Sequence, residues 1–343
     1  MAIAMTGSTI KAHIGTWTLL AMLALAGCSS STDTTQQTGD SKSNEKKLRI
    51  AVIPKGTTHE FWKSVHAGAE DAAKELGVEV IWKGPLKEDD RNSQISVVED
   101  FTTQGVDGIV LAPLDDTALR MPVENAKKSG IPVAIFDSDL KDTEVVSFVA
   151  TDNEKGGRAA GEEMVRLLGG NGNVIVLRYQ VGSASTMNRE KGFLAVMKAN
   201  PGIKVLSDNR YAGATVESAQ TEAENLLSGY KQPDGTLAVD GIYCPNESST
   251  FGMLRVLEDN HWAGKVKFVG FDASAKLIEG LQKGYINGLI VQNPRRMGSE
   301  AVRAIVDAIR KNPVPKRIDT GATLVTGDNL KDPEIAKLLE IPK

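Results

Sequence analysis

"LRIAVIPKGTTHEFWKSVHAGAEDAAKELGVEVIW", residues Leu48 to Trp82, holds the unit from which the rest of the chain can be read. Leu48 to Ile53 is an apolar run with the length of a strand covered on both faces, and Val78 to Trp82 is another. Between them Phe61, Val65, Ala69, Ala72, Ala73 and Leu76 recur at three- and four-residue spacing, the stripe of an amphipathic helix. Gly77 follows where a left-handed C-terminal cap is commonly needed. Strand, helix, strand predicts a right-handed crossover and therefore a parallel sheet.

The same pattern continues to the C-terminal region. Gly108 to Ala112, Pro132 to Phe136, Val145 to Val149, Asn173 to Arg178, Val239 to Tyr243, Val266 to Phe271 and Asn287 to Gln292 are strand-like runs, most of them separated by helix-period stretches. Gly105, Gly130, Gly264 and Gly284 fall where those helical patterns stop. The fold class is α/β throughout. With 343 residues, 41% hydrophobic and 24% charged, the chain can build two cores.

The N-terminal residues give an address. Lys11 and His13 precede Ile14 to Ala26, an apolar run too short for a permanent membrane helix and suited to a signal peptide over residues 1–27. Leu25-Ala26-Gly27-Cys28 resembles the bacterial lipobox, which implies lipidation of Cys28 and a membrane anchor. Ser29 to Asn44 is almost wholly polar and reads as a tether, residues 28–46 with Cys28 included. The body is expected to be extracytoplasmic, on the periplasmic or outer face of a membrane. Cys244 has no second cysteine in the body, so no disulfide is expected and the residue reads as strand filling.

Several classes of function find no support. A net charge of −4 without a dense Lys/Arg patch argues against nucleic acid. There is no Gly-x-Ser-x-Gly elbow, Walker A loop or metal-ligand spacing, and Gly169 to Asn173, "GGNGN", precedes a strand instead of following one. Asp137 and Asp139 could work on a glycosidic bond, but no obvious second pair accompanies them. No catalytic residue, cofactor or metal is expected.

Open parallel sheets bind ligands beyond the carboxyl ends of their strands. Those ends carry Lys55 to Trp62, Pro113 to Asp116, Asp137 to Asp139, Asp152-Asn153, Tyr179 to Arg189, Pro245 to Glu247, Asp272 to Ser274 and Gln292 to Pro294. Carboxylates, carboxamides, an arginine and an aromatic pair suit a ligand with hydroxyls on its edge and C–H on its faces, a sugar or polyol.

"VGFD" (Val269 to Asp272), with "FDSD", "ATDNEKGG", "NREKGF" and "IVQNP", resembles the ribose-type periplasmic sugar-binding proteins of ABC importers, over nearly everything from Leu48 onward. The resemblance implies a type I periplasmic binding protein fold: two doubly wound parallel-sheet lobes joined by a three-segment hinge, residues 47–151 with 293–321 and residues 152–292 with 322–343. It implies ligand contacts at Asp137, Arg189, Asn246, Asp272 and Gln292, with His59, Phe61 and Trp62 at positions held by an asparagine and two phenylalanines in the family. The family pattern departs at Ser138, commonly arginine, and at Ala214, usually aromatic. Lys55 and Asp137 to Asp139 are also similar to binding proteins for autoinducer-2, so Lys55 and Asp139 join the candidates. The repressors that share this fold begin with a helix-turn-helix, which the signal peptide and tether replace here.

Each residue also has a structural use. Asp137, Asp272 and Asn246 suit helix caps, Arg189 a helix surface, and Gln292 a hinge bridge. Phe61 and Trp62 sit roughly 100° apart on a helix start, so at least one should face a cleft. The implied activity is capture of a monosaccharide or polyol by lobe closure, with delivery to an ABC permease. A sensory protein presenting a sugar or furanosyl signal to a receptor is the alternative. A monomer is expected.

Overall fold

The computed structural model describes residues 47–340. The signal peptide, Cys28 and the tether lie outside the described residues.

The chain runs β1 (Arg49–Ile53), α1 (Glu60–Leu76), β2 (Glu79–Trp82), α2 (Arg91–Gln104), β3 (Gly108–Leu111), α3 (Arg120–Lys128), β4 (Val133–Phe136) and β5 (Phe148–Ala150). It then passes through α4 (Asn153–Leu168), β6 (Gly172–Arg178), α5 (Ala184–Ala199), β7 (Ile203–Tyr211), α6 (Val216–Ser228), β8 (Gly241–Tyr243), α7 (Glu247–Asp259), β9 (Lys267–Phe271), α8 (Ala275–Gln282) and β10 (Gly288–Gln292). It ends with α9 (Pro294–Ile309), β11 (Arg317–Asp319), β12 (Ala322–Val325) and α10 (Pro333–Leu338).

These strands form two six-stranded sheets, ordered β11-β5-β4-β3-β1-β2 and β12-β10-β9-β8-β6-β7. Both faces of each sheet are covered, which is why the strands read as unbroken apolar runs. In β1, Ile50 and Val52 pack with α1 and α9, while Ala51 and Ile53 pack with α2 and α3. The second sheet is likewise covered by α4 and α5 on one face and by α6, α7 and α8 on the other.

The chain passes between the lobes after β5, after β10 and between β11 and β12. The first two passages enter through a helix. The third goes straight from strand to strand, arriving at the C-terminal end of the second sheet, so β12 pairs antiparallel with β10 whereas β11 is parallel to β5. Thr151 Oγ1 donates to Gly321 O at 3.0 Å and ties two passages together.

Four glycines set the helix packing beside the cleft. A Cβ on Gly157 of α4 would lie 1.9 Å from the Arg189 carbonyl oxygen of α5, and one on Gly192 would lie 2.1 Å from that of Glu154. Gly68 and Gly298 play the same part between α1 and α9. Only hydrogen at these positions lets the backbones approach so closely.

Three strands escape the apolar-run reading. β7 is an edge strand with alternating burial, and β11 and β12 are short and mostly exposed, so none carries a run covered on both faces. The run Val145 to Val149 sets its strand too early, since β5 begins at Phe148. Gly77 and Gly105 cap their helices in left-handed geometry, but α7 ends at Asp259 with Asn260 as its C-cap, four residues before Gly264.

Candidate functional site

The carboxyl ends of both sheets face one cleft, and the lobes meet around it. Lys55 and His59 come from the β1–α1 link, Phe61 and Trp62 from the first turn of α1, Glu88 from the β2–α2 loop and Asp137 from just past β4. Tyr179, Ser185 and Arg189 follow β6, Asn246 and Glu247 follow β8, Asp272 follows β9, and Gln292 closes β10. The side chains close on a cavity of about 30 Å³, room for no more than a water molecule or two until the lobes part.

Asp137 and Asp272 are both in the left-handed region, at φ 58° and 69°. That conformation costs a residue with a side chain roughly 1–2 kcal/mol, with Asp among the more tolerant types. It turns the chain sharply off the strand and leaves each carboxylate in the cleft wall. The turn also displaces Asp139. Strand alternation would put residues 137 and 139 on one face, but the strand has ended, and Asp139 is exposed with Oδ1 accepting from the Leu140 N–H at 2.9 Å. Asp139 therefore does not line the cleft, which corrects its selection as a candidate.

On the first lobe, Lys55 Nζ lies 2.7 Å from Asp137 Oδ2 and 2.7 Å from Ser138 Oγ. It also reaches Ser185 and Ser183 of the other lobe at 3.1 and 3.4 Å. Three ammonium protons face three serine hydroxyls beside the Asp137 carboxylate, so Lys55 lines the cleft with its hydrogen-bonding capacity spent on protein. Asp137 Oδ2 is in ion-pair contact yet accepts no directed hydrogen bond. It keeps capacity for a hydroxyl. Ser138, where the family has arginine, bonds Ser185 across the cleft at 2.9 Å.

His59 Nδ1 lies 2.6 Å from Glu88. Burial works against the imidazolium charge, but the Glu88 carboxylate outweighs it and holds His59 at about 9. Burial likewise opposes ionisation of Glu88, yet His59, Lys55 and the Trp62 N–H bring it down to about 2. Phe61 and Trp62 both line the cleft, edge to face with ring centroids 4.9 Å apart.

The second lobe is built differently. Arg189 Nε donates to Asn153 Oδ1 at 2.8 Å and Nη1 to the Pro245 carbonyl at 2.9 Å, while the guanidinium stacks 3.9 Å over Phe271. Nη2 is buried with no partner among the described residues. Asp272 accepts from Gln292 Nε2 at 2.7 Å and from the Glu247 N–H at 3.0 Å, and burial raises its carboxyl. Gln292 Oε1 is buried and likewise has no partner among the described residues. Asn246 lines the cleft and also caps α7, accepting from the Ser249 N–H and donating to Ser248.

Carboxylates also cross the cleft to helix starts. No side chain of its own lobe caps α1; instead Glu247 accepts from the N–H groups of Glu60 and Phe61 at 3.2 and 3.0 Å. Glu60 in turn accepts from the Ala275 N–H at the start of α8, at 2.9 Å. Helix N-termini leave unsatisfied donors and a positive dipole end, so each lobe supplies what the other lacks. Burial raises Glu247 to about 7, against the pull of His59 and these N–H groups.

Glu88, Tyr179 and Glu247 were not among the sequence candidates. Tyr179 and Glu247 stood in strand-end stretches without being singled out, whereas Glu88 sits in "LKEDDR", a charged loop with no motif. Cys244 is buried and unpaired just past β8, and burial pushes its thiol up, as befits packing and not nucleophilic attack. Among the described residues no His, Cys, Asp and Glu group has metal-holding geometry, and no helix is long and apolar enough to cross a membrane.

The cleft thus offers carboxylates as acceptors, a guanidinium N–H, a carboxamide oxygen and aromatic faces. Its ions pair mostly with one another, which suits a neutral polyhydroxylated guest better than an ion.

Comparison with known proteins points the same way. A profile for a periplasmic binding protein domain matches residues 50–313. The chain is similar to the D-allose-binding periplasmic protein of Escherichia coli, with 30% identity over 77% of this chain and 85% of that one. It is also similar to the ribose import binding protein of Bacillus subtilis, with 29% identity over 82% and 88%. Among solved structures, a carbohydrate transporter solute-binding protein from Agrobacterium radiobacter in complex with D-arabinose aligns with a TM-score of 0.81 and 33% identity, covering 86% of this chain and all of that one. A solute-binding protein of an ABC transporter from Agrobacterium vitis with bound D-fucose aligns equally well, at a TM-score of 0.81 and 32% identity.

Proposed function

Because the chain belongs to the periplasmic binding protein family, we propose that it captures a neutral monosaccharide or polyol in the cleft by lobe closure and hands it to an ABC importer. The observation that carries this reading is the convergence of Arg189 Nη2 and Gln292 Oε1, both buried and unpartnered, with the Asp137 and Asp272 carboxylates inside an aromatic-walled space. A sugar hydroxyl both donates and accepts, so adjacent hydroxyls of one ring can take the guanidinium N–H and satisfy the acceptors together. Neither lobe holds the whole set. A ligand contacting both lobes favours the closed state by its differential affinity for it.

The magnitudes agree. Micromolar capture needs a net ~8 kcal/mol, and hydrogen bonds to charged groups contribute ~1.5–3 kcal/mol each before ordering costs. D-Arabinose, D-allose, D-ribose and D-fucose form the first screening panel, because relatives bear those names. Titration calorimetry is expected to give micromolar or tighter binding for at least one neutral monosaccharide and none for the matching uronic acid. Binding of the acid alone would overturn the reading.

Lipidation of Cys28 belongs to the same proposal, supported by the lipobox-like Leu25 to Cys28. Mass spectrometry of membrane-derived protein is expected to find a diacylglyceryl thioether on Cys28, and an unmodified thiol there would reject the anchor. Stimulated ATP hydrolysis by a reconstituted permease and ATPase tests delivery; stimulation of a membrane receptor instead would favour the sensory alternative.

A further inference from the structure

We propose that Glu88 is a positioning residue whose single carboxylate orients the aromatic wall of the first lobe and joins it to the second lobe in the closed state. The inference rests on capture by lobe closure as proposed above.

Glu88 stands apart from its neighbours. Asp89 and Asp90 are exposed, whereas Glu88 is only 6% exposed. One oxygen accepts from His59 Nδ1 at 2.6 Å and from Trp62 Nε1 at 2.7 Å; the other accepts from the Tyr179 hydroxyl at 2.7 Å. His59 and Trp62 belong to its own lobe. Tyr179, fully buried at 1% exposure, belongs to the other. The Glu88 backbone carbonyl meanwhile accepts from Gln180 Nε2 at 2.9 Å, so side chain and main chain both bind the second lobe at consecutive residues.

The surroundings are shaped for this carboxylate. A Cβ on Gly56 would sit 2.8 Å from Glu88 Cγ, so the glycine after Lys55 leaves the path along which the side chain enters. Lys55 is the other cation acting on Glu88, and the acids facing His59 are Glu88 itself, Glu247 from α7 and Asp272 after β9. A buried tyrosine hydroxyl needs a partner, and opening the lobes exchanges Glu88 for water at that hydroxyl. Trp62 and His59 keep their shared acceptor in either state. Tyr179 gains it only on closure.

The test separates these two tasks. Tyr179→Phe removes only the Glu88 side chain's bond to the second lobe, Glu88→Ala removes all three side-chain bonds, and Glu88→Gln removes the charge that holds His59 protonated. Hydrogen exchange in ligand-free protein at the Glu60 and Phe61 amides reports closure, because these amides bond to Glu247 of the other lobe and touch neither Tyr179 nor Glu88. Exchange in α9 serves as the control for an intact fold.

Tyr179→Phe should speed exchange at Glu60 and Phe61 by about threefold and weaken sugar binding by about fivefold, mainly through faster dissociation. Glu88→Ala should weaken binding by about thirtyfold, and Glu88→Gln should bring the His59 titration, read by NMR, down from about 9, because burial then opposes the imidazolium without the Glu88 charge. Exchange and affinity within about twofold of wild type in both Tyr179→Phe and Glu88→Ala would overturn the proposal. If the wild type binds no monosaccharide, the function proposed above fails while the exchange and titration measurements still decide the role of Glu88.

Discussion

Asp137 and Asp272 hold the same place in their lobes, the first residue past the fourth strand in chain order, both with positive φ. Their partners differ. Asp137 is in contact with the Lys55 ammonium, whose protons are consumed by protein oxygens on both lobes. Asp272 lies 3.9 Å from an Arg189 guanidinium that still has a free N–H, next to a Gln292 carbonyl that has no partner. The second lobe therefore leaves a guanidinium N–H and a carboxamide oxygen open, whereas the first lobe leaves Asp137 Oδ2 open and uses Lys55 and Glu88 to hold an aromatic wall and bridge to its neighbour. The open Arg189 N–H makes the second lobe the expected grip, although at the shared position Asp272 has both oxygens engaged by its own lobe and Asp137 Oδ2 accepts no directed hydrogen bond.

Removing the grip should do the most damage. Arg189→Ala is expected to weaken sugar binding by at least about a hundredfold, since it deletes a charged donor and leaves Asp272 buried beside it without a cation. Calorimetry on a variant with unchanged melting temperature checks this, and near-wild-type affinity would break the contrast between lobes. Asp137→Asn should cost less, about tenfold, because the lost acceptor is partly engaged by Lys55; a loss exceeding that of Arg189→Ala would reverse the assignment of roles. Gly157→Ala tests the backing of the grip. Its methyl meets the Arg189 backbone, so α5 must shift, and a loss of about 1–3 kcal/mol in stability should accompany weaker binding. Gly298→Ala, the counterpart on α9, should match it in stability and disturb binding less.

A further expected effect concerns protons. Glu247, ordinarily near 4.5, is raised to about 7 by burial at the lobe contact. An acid with a raised native value stabilises fully below its unfolded value, and that contribution is lost as pH rises through the native one. The Glu247 contribution should therefore decline between about pH 4.5 and about 7, by at most ~3 kcal/mol. Glu247→Gln should flatten that part of the stability profile in denaturant titrations. The His59–Glu88 pair behaves differently: the Glu88 contribution is present above pH 4.5 and lost toward about 2, and the His59 contribution is present below 6.5 and lost toward about 9. A profile in Glu247→Gln that still falls steeply from pH 4.5 to 6.5 would assign the effect to other buried acids, such as Glu190 and Asp272.

Much of the site was readable because topology concentrates it. Once alternating strands and helices imply parallel sheets, function is directed to the strand ends, and Asp137, Asn246, Asp272 and Gln292 stand at or just past such ends. Glu88 was not readable on those terms. Its loop offers Glu88, Asp89 and Asp90 as equals, and the path past Gly56 with the partners His59, Trp62 and Tyr179 marks the one that turns inward. Asp139 failed for the opposite reason, as the left-handed turn at Asp137 ended the alternation that would have aimed it inward.

The amino-acid order by itself determined the α/β alternation, the candidate strand ends and the kind of groups gathered there, because periodicity and residue chemistry are local properties. Which of those groups remain free for a guest was decided only by the folded molecule. Proton and lone-pair bookkeeping depends on neighbours far apart in sequence: Lys55 is saturated by Asp137, Ser138, Ser183 and Ser185, while Arg189 Nη2 and Gln292 Oε1 are left open. The capping of α1 by Glu247, 187 residues from Glu60, is likewise a property of two lobes brought together.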